Sequence, residues 1–352
     1  MGDNPVMASD LNNAVENADP DTETYLTLYD YAIPLLGLFV IVINFIVMLS
    51  SGLLIKKGVE PRYTYMFLGN LSMTDFITGL SVLFGQYYPK KYRNHHTCVI
   101  QIGMIVASTL SSAYSVGLIA IDRYLYIVCG LKYCRCLSLT KVKASIIVTW
   151  IIAIVIGFLP LTSWHGDTHH GKTCWFINVA PKPLVLVTVS VGLIPVLTVF
   201  VLYSIILYYA IKNINHIRKS IKTISETIEA TNQLRMFKGT TELPIRMRRS
   251  RRKLSNCFIP NKFKAVKIVM FTTLSFVLTW SPYFIACVVY VGNECSDGDS
   301  RYMCQKLQLL IASPLAILGF ANSLINPIIY AWWHTGFRTY IRKKITKIFK
   351  SK

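Results

Sequence analysis

The chain carries one carboxylate deep inside a long apolar block, at Asp75. Uncharged polar side chains occupy comparable depths in other apolar blocks, at Asn44, Ser112, Asn322, Ser323 and Asn326. A carboxylate among amides and hydroxyls offers oxygen ligands only, the set that a small hard cation such as Na⁺ prefers. The same residues could instead form a hydrogen-bonded network with water, or relay protons. All three hypotheses require elements that bring these side chains together.

The composition indicates a membrane protein. The chain has 352 residues, of which 53% are hydrophobic and 15% are charged, whereas a soluble globular protein has roughly 25% charged residues. Such a chain lacks the polar residues to cover one core in water, which argues against a soluble enzyme and against disorder. Seven apolar blocks reach the roughly 20 residues that cross a bilayer. We place them at 31–55, 64–88, 98–128, 144–164, 183–211, 265–291 and 307–332.

These blocks are predicted to be helices, because hydrocarbon offers no partners for backbone groups and the blocks lack the alternation of a membrane barrel. The predicted fold class is an all-α membrane protein, a bundle of seven transmembrane helices. A secondary transporter is the alternative from another class. It would require repeated halves and discontinuous helices, and neither is visible in the sequence.

The basic residues predict the orientation. The net charge is +20, yet residues 1–30 contain no Lys or Arg and seven acids. Most of the 37 basic residues follow blocks one, three, five and seven. This alternation is the membrane pattern and argues against nucleic acid as a partner. We expect a multi-pass protein of the plasma membrane, with its N-terminus outside the cell.

Three regions are predicted around and within the bundle. Residues 1–30 form a flexible extracellular segment, and residues 31–332 form the transmembrane domain. Its inner loop, 212–264, is basic and expected to be flexible, either drawn to anionic lipid or docking a cytosolic partner. Residues 333–352 place apolar side chains at helical spacing among bases, which predicts an amphipathic helix on the inner membrane surface.

Cysteines and histidines occur on the predicted outer face. Cys98 and Cys174 both face an oxidising compartment and could form a disulfide. Cys295 and Cys304 share a short outer loop and could form a second one. The pairs His95-His96 and His169-His170 are also external. Paired histidines could bind a metal, although solvated loop histidines are the more common case.

Three short patterns lie within or at the ends of the blocks. Asp122-Arg123-Tyr124 ends the third block on the cytosolic side, where adjacent charges can neutralise each other. Trp280-Ser281-Pro282 lies in the sixth block, and Asn326 to Tyr330 reads Asn-Pro-Ile-Ile-Tyr in the seventh. Proline removes a backbone hydrogen bond and kinks a helix.

Together these residues resemble the rhodopsin-like (class A) family of G-protein-coupled receptors. The positions that match its motifs, in order and each on the expected span, are Asn44, Leu71, Asp75, the Asp122-Arg123-Tyr124 triplet, Trp150, Pro195, Tyr203, Trp280, Pro282, Asn326, Pro327 and Tyr330. Cys98 and Cys174 match its outer disulfide. The resemblance covers about 30–350, without the long inner loop.

The resemblance implies a receptor and no enzyme. Its partners would be a heterotrimeric G protein, arrestin, a receptor kinase and an extracellular ligand. The implied activation switch is Asp122, Arg123, Tyr124, Tyr203, Trp280, Pro282, Asn326, Pro327 and Tyr330. The implied sodium site of the resting state is Asp75, Ser112, Asn322, Ser323 and Asn326. Many members pair the triplet Arg with an acid at the base of span six, but residues 262–267 contain none. We therefore expect raised basal signalling.

Family geometry also implies a ligand pocket. Its residues would be Gln101, Ile105, Thr109, Phe176, Val187, Thr188, Trp280, Tyr283, Phe284, Cys287, Ala316 and Phe320. Amine receptors carry an Asp at the position of Ile105, so a monoamine is not expected, because nothing would pair with its buried ammonium. We expect a small neutral or lipid-like ligand. A nucleoside or a peptide is the alternative.

Within the family, parts of spans four, six and seven look similar to the glucose-dependent insulinotropic receptor. Adenosine receptors share Cys174-Trp175-Phe176. They use an Asn where this chain has Cys287 and a His where it has Phe320, so their adenine contacts are absent here.

Overall fold

A computed structural model describes residues 20–58, 62–129, 133, 137–171, 173–236, 260–293 and 298–333. Within these ranges the chain forms helices and no strand. The long helices are Pro20–Lys56, Arg62–Tyr87, His95–Tyr124, Leu139–Phe158, Lys182–Met236, Pro260–Gly292 and the pair Gly298–Ala312 and Pro314–Trp333. We call them spans one to seven in this order, the last pair forming span seven. The segment Leu125–Cys129 continues span three as a π-helix.

Among the described residues, seven stretches are long and apolar enough to cross a membrane: Asp30–Lys56, Arg62–Tyr87, His95–Val128, Leu139–Leu161, Lys182–Tyr209, Met270–Gly292 and Tyr302–Ile329. The predicted all-α bundle of seven transmembrane helices is confirmed. The amphipathic helix expected at 333–352 falls almost wholly outside the described residues.

Two helices are longer than the sequence blocks suggested. The first begins at Pro20, inside the segment 1–30 that we expected to be flexible. Proline is favoured in the first turn of a helix, since its missing N–H would have no partner there. The fifth continues to Met236, well into the inner loop 212–264. No Gly or Pro occurs between Pro195 and Gly239, so the sequence offers no signal to end it.

Span three lies at the centre of the bundle and contacts spans two, four, five and six. Its backbone lies close to that of span four because both helices have a glycine at their contact, Gly103 and Gly157. A Cβ atom at Gly157 would lie 2.6 Å from the carbonyl oxygen of Gly103, and one at Gly103 would lie 2.8 Å from that of Gly157. Small residues permit such backbone contact between transmembrane helices.

A disulfide fixes the loop before span five, at the end of the bundle that the sequence predicts to be outside and that we call the outer end. Cys98, in the first turn of span three, is bonded to Cys174 with Cα atoms 5.0 Å apart, which confirms the predicted bridge. Asn94 caps the same helix in a reciprocal arrangement with Thr97. Cys304 is buried and disulfide-bonded, while Cys295, its predicted partner, lies outside the described residues.

Candidate functional site

The polar side chains of spans two, three and seven converge on Asp75, which is completely buried. The hydroxyls of Ser112 and Ser323 donate hydrogen bonds to Oδ1 of Asp75 over 3.0 and 2.9 Å. Asn326 Nδ2 donates to Oδ2 over 3.0 Å. Three helices that are distant in the sequence thus meet at one carboxylate, where each hydrogen bond to a charged group contributes about 1.5–3 kcal/mol.

Two of the predicted residues lie at the edge of this cluster. Asn44 donates from Nδ2 to the carbonyl oxygens of Val40 and Ser323, both over 2.9 Å, and so joins span one to span seven. Asn322 Oδ1 lies 3.4 Å from the Ser275 hydroxyl, which donates its proton to the carbonyl oxygen of Thr272 over 2.8 Å. That hydroxyl belongs to span six, the helix that carries Trp280, so Asn322 lies where spans six and seven meet.

Two buried amide oxygens of this polar region, Asn326 Oδ1 and Asn44 Oδ1, lack a hydrogen-bond partner among the described residues. The ion pairs Arg123–Asp122 and His169–Asp167 do not involve Asp75, so neither of them neutralises it. A buried carboxylate requires a proton or a cation. One carboxylate surrounded by neutral oxygens fits a small hard cation.

A cavity opens to the outer side between spans three, five, six and seven. Its empty space, which includes open solvent at the mouth, is about 870 Å³. Ten of the predicted ligand residues line it: Gln101, Ile105, Thr109, Phe176, Thr188, Trp280, Tyr283, Phe284, Ala316 and Phe320. The disulfide loop forms part of its wall through Cys174, Trp175 and Phe176.

Two predicted ligand residues do not line the cavity. Val187 is 43% exposed, because it lies about 100° around the helix from Thr188, which does face the cavity. Cys287 is completely buried in an apolar cluster with Ile177 and Ile311. Lining residues that the sequence reasoning missed are Ile102, Val106, Leu110, Cys174, Trp175, Val189, Ile311 and Ala312. The first three lie one residue or one turn from predicted residues, so helical spacing could have indicated them.

The cavity lining contains no Asp, Glu, Lys, Arg or His. Its polar groups belong to Gln101, Thr109, Thr188, Tyr283 and the Trp280 indole. The Thr109 hydroxyl oxygen is buried and has no hydrogen-bond partner among the described residues. An apolar wall with a few polar groups favours a neutral ligand.

Trp280 connects the cavity to the bundle below it. Its indole stacks on Phe284 with centroids 5.8 Å apart and meets Phe320 edge-on at 6.4 Å. A Cβ atom at Gly319 would lie 3.0 Å from the indole, so the glycine makes room for it. Trp280 is therefore in contact with both the ligand space and span seven, and any displacement of it moves the packing of spans six and seven.

At the inner end, Arg123 is buried against spans two and three and the second inner loop. It forms an ion pair with Asp122 and donates a hydrogen bond to the Thr64 hydroxyl. Asp122 accepts further bonds from Thr64 over 2.8 Å and from the Tyr133 hydroxyl over 2.6 Å. Burial and the adjacent Asp122 raise the pKa of the Tyr133 phenol, so it remains a donor. Arg123 also lies over the ring of Tyr126, 5.3 Å from its centroid.

The remaining predicted switch residues lie between these two ends. Tyr203 is buried in the apolar core, and Tyr124 packs against the same core. Pro282 and Pro327 are inside the helices of spans six and seven. Tyr330 is in span seven, but its side chain lies outside the described part of the molecule.

Residues 43–330 match the family "7 transmembrane receptor (rhodopsin family)". The chain belongs to this receptor family. The match includes the Asp75 cluster, the outer cavity and the Arg123 cluster, so all three belong to a seven-transmembrane receptor. The relatives described below are likewise receptors.

Several receptors are similar over most of the chain. The human glucose-dependent insulinotropic receptor is 29% identical over 311 residues, covering 86% of this chain and 82% of that receptor. The rat receptor of the same name is also 29% identical, but this chain spans only 58% of its length. The chicken adenosine receptor A2b is 25% identical, and the match covers 81% of this chain and 79% of that receptor. The weak resemblance to the glucose-dependent insulinotropic receptor and to adenosine receptors is confirmed.

Proposed function

We propose that this receptor binds a small, neutral, lipid-like ligand in its outer cavity and activates a heterotrimeric G protein at its inner end. The observation that carries the proposal is the cavity itself, which has an uncharged, largely apolar lining and Trp280 in its wall. Family membership supports signalling through a G protein. Arrestin and a receptor kinase are further partners under the same proposal, as is an extracellular N-terminus at the plasma membrane.

The uncharged lining argues against a monoamine. A buried ammonium without an anion costs several kcal/mol, and the span-three position that would hold the anion is Ile105. A nucleoside is the second candidate, favoured by the similarity to an adenosine receptor. Cys287 is packed away from the cavity and Phe320 offers no hydrogen-bonding group, so a nucleoside would have to use the polar groups of Gln101, Thr109, Thr188, Tyr283 or Trp280.

The route from ligand to G protein follows the packed residues. A ligand that displaces the Trp280 indole would repack spans six and seven, and span seven carries Ser323 and Asn326 of the Asp75 cluster. Opening of the inner end then requires Arg123 to leave Asp122 and Thr64. Because the two ends belong to one two-state bundle, ligand and G protein favour each other's binding by the same factor.

A sodium ion at Asp75 is part of the same proposal. The fit rests on the unneutralised buried carboxylate and the free amide oxygens of Asn326 and Asn44. Asp75, Ser112, Ser323 and Asn326 would hold the ion, with Asn322 at the edge. When bound, the ion would supply the positive charge that this packing otherwise lacks.

A second-messenger panel in cells tests the ligand assignment. The receptor is expressed with reporters for the G-protein classes, first without ligand and then with lipids, nucleosides and peptides. Phe284→Ala removes a ring from the cavity wall, and Leu278→Ala is the matched control, since Leu278 is on the same helix and 63% exposed. A lipid response that Phe284→Ala weakens at least about tenfold and Leu278→Ala spares supports the proposal. A response to nucleosides alone, or to peptides alone, contradicts it.

A further inference from the structure

Imidazoles from two separate segments meet on the outer face. His95 is the first residue of the span-three helix, and His165 lies in the loop before span five. Their ring centroids are 4.2 Å apart and the rings are tilted by 53°. His96 adds a third ring, with its centroid 5.9 Å from that of His95. Neither the cavity nor the Asp75 cluster involves these side chains.

Hydrogen bonds fix the Nδ1 atoms of both central rings. His165 Nδ1 lies 3.0 Å from the carbonyl oxygen of Gly166, and because a carbonyl only accepts, this nitrogen carries the proton. His95 Nδ1 lies 3.0 Å from the Thr168 hydroxyl, which accepts from this nitrogen in the tautomer that leaves Nε2 unprotonated. No hydrogen bond among the described residues engages Nε2 of either ring. A neutral imidazole held by Nδ1–H presents the lone pair of Nε2, which is how metal-ligating histidines are oriented.

The backbone around the two rings is held in place as well. Thr168 is buried, and its carbonyl accepts bonds from the backbone N–H groups of Gly171 and Thr173 over 3.0 and 3.2 Å. The Cys98–Cys174 disulfide ties the same loop to span three. The backbone segments that carry the two imidazoles are therefore already close together, so metal binding requires adjustment of the two side chains and not of the chain, which reduces its entropic cost.

We propose that His95 and His165 bind a transition-metal dication such as Zn²⁺ through their Nε2 atoms. Imidazole ligands select Zn²⁺, Cu²⁺ or Ni²⁺ over Ca²⁺ and Mg²⁺, which require oxygen ligands. No group of three or more His, Cys, Asp or Glu side chains in the described residues is arranged around a metal position. Water completes the coordination sphere, and the affinity is that of a modulatory site rather than a structural one.

Metal binding would add a second clamp on the loop that forms part of the cavity wall. Trp175 and Phe176 of this loop line the cavity, so a metal between His95 and His165 would restrict movement at the cavity mouth. This consequence for ligand entry rests on the proposed function. The metal site itself does not, since it needs no ligand and no G protein.

Zn²⁺ binding to the purified full-length receptor, made without a polyhistidine tag, tests the proposal. The free metal is followed with a fluorescent zinc chelator, at constant receptor concentration and with Ca²⁺ and Mg²⁺ as comparison ions. His165→Ala removes one ligand at an exposed position. His170→Asn is the matched control: it removes another imidazole of the same loop, and Asn tolerates the left-handed backbone there, where φ is 58°.

The expected result is one Zn²⁺ site that His165→Ala weakens at least about tenfold and His170→Asn leaves unchanged. Zn²⁺ should also raise the Tm of the wild type more than that of His165→Ala, because a ligand of the native state stabilises it. Equal stoichiometry and affinity in the wild type and His165→Ala would overturn the proposal. So would the same effect from Mg²⁺. Either failure leaves G-protein activation untouched, which the cell panel measures separately.

Discussion

Asn326 on span seven donates a hydrogen bond from Nδ2 to Oδ2 of Asp75 on span two, over 3.0 Å and across 251 residues of sequence. Both side chains are buried. This bond, with those of Ser112 and Ser323, fixes the packing of spans two, three and seven in the described state. A carboxylate in such a position makes the packing sensitive to whatever neutralises its charge.

Asp75→Asn is expected to abolish the sensitivity of the receptor to sodium. In the wild type, replacing Na⁺ by a large organic cation at constant ionic strength should change basal G-protein activation, since the ion favours the packing that binds it. The neutral amide cannot hold the ion, so the variant should respond equally in both media. If basal activation in Asp75→Asn still changed when Na⁺ was replaced, Asp75 would not be the sodium ligand.

Gly319→Ala is expected to raise basal signalling. The added Cβ would lie 3.0 Å from the Trp280 indole, so the ring must move away from its present contact with span seven. A steric cost of roughly 1 kcal/mol in this packing shifts a two-state equilibrium about fivefold. Gly52→Ala is the control, because a Cβ there meets nothing within 4 Å. Basal output, normalised to surface expression, is the measurement, and equal output from both variants would contradict this role of Gly319.

Tyr133→Phe is expected to loosen the Arg123 cluster. The hydroxyl of Tyr133 donates to Asp122 over 2.6 Å, and its removal leaves the buried carboxylate one partner short, a loss of about 1–3 kcal/mol. Arg123 should then leave the cluster more readily and basal output should rise. Tyr126→Phe keeps the ring that lies under Arg123 and serves as the control. An unchanged or lower output in Tyr133→Phe would show that this bond does not restrain Arg123.

Gly157→Val is expected to destabilise the bundle without altering any charged group. Its side chain would meet the backbone of span three, because a Cβ at Gly157 already lies 2.6 Å from the carbonyl oxygen of Gly103. Overpacking of this kind costs about 1–3 kcal/mol. The purified variant should therefore have a lower Tm than the wild type and than Gly52→Val, where there is open space. A Tm equal to that of Gly52→Val would mean that spans three and four separate without penalty.

The sequence predicted the bundle well because each span is a long apolar block, and hydrocarbon permits only helices there. The members of the Asp75 cluster were also identifiable, since an amide or acid inside such a block is rare. The lengths of spans one and five were harder to predict from the sequence. Pro20–Lys56 and Lys182–Met236 both continue into polar sequence, where hydropathy gives no boundary.

Contacts across the loops were not predictable from the sequence. Tyr133 reaches Asp122, and His165 reaches His95, because the loops fold back onto span three. A helical period relates residues within one helix and says nothing of which loop residue covers it. The same limit explains Cys287. Its place on span six is compatible with the cavity, but the apolar cluster with Ile177 covers it.

Guanine-nucleotide exchange on purified G proteins, one from each class, tests the central claim most directly. The receptor is reconstituted without ligand, and Arg123→Ala is the control, checked for folding by its Tm. Since residues 262–267 contain no acid to hold Arg123, the wild type should accelerate exchange on at least one G protein without ligand, and Arg123→Ala should not. Exchange at the receptor-free rate on every G protein, or equal acceleration by wild type and Arg123→Ala, would contradict the account.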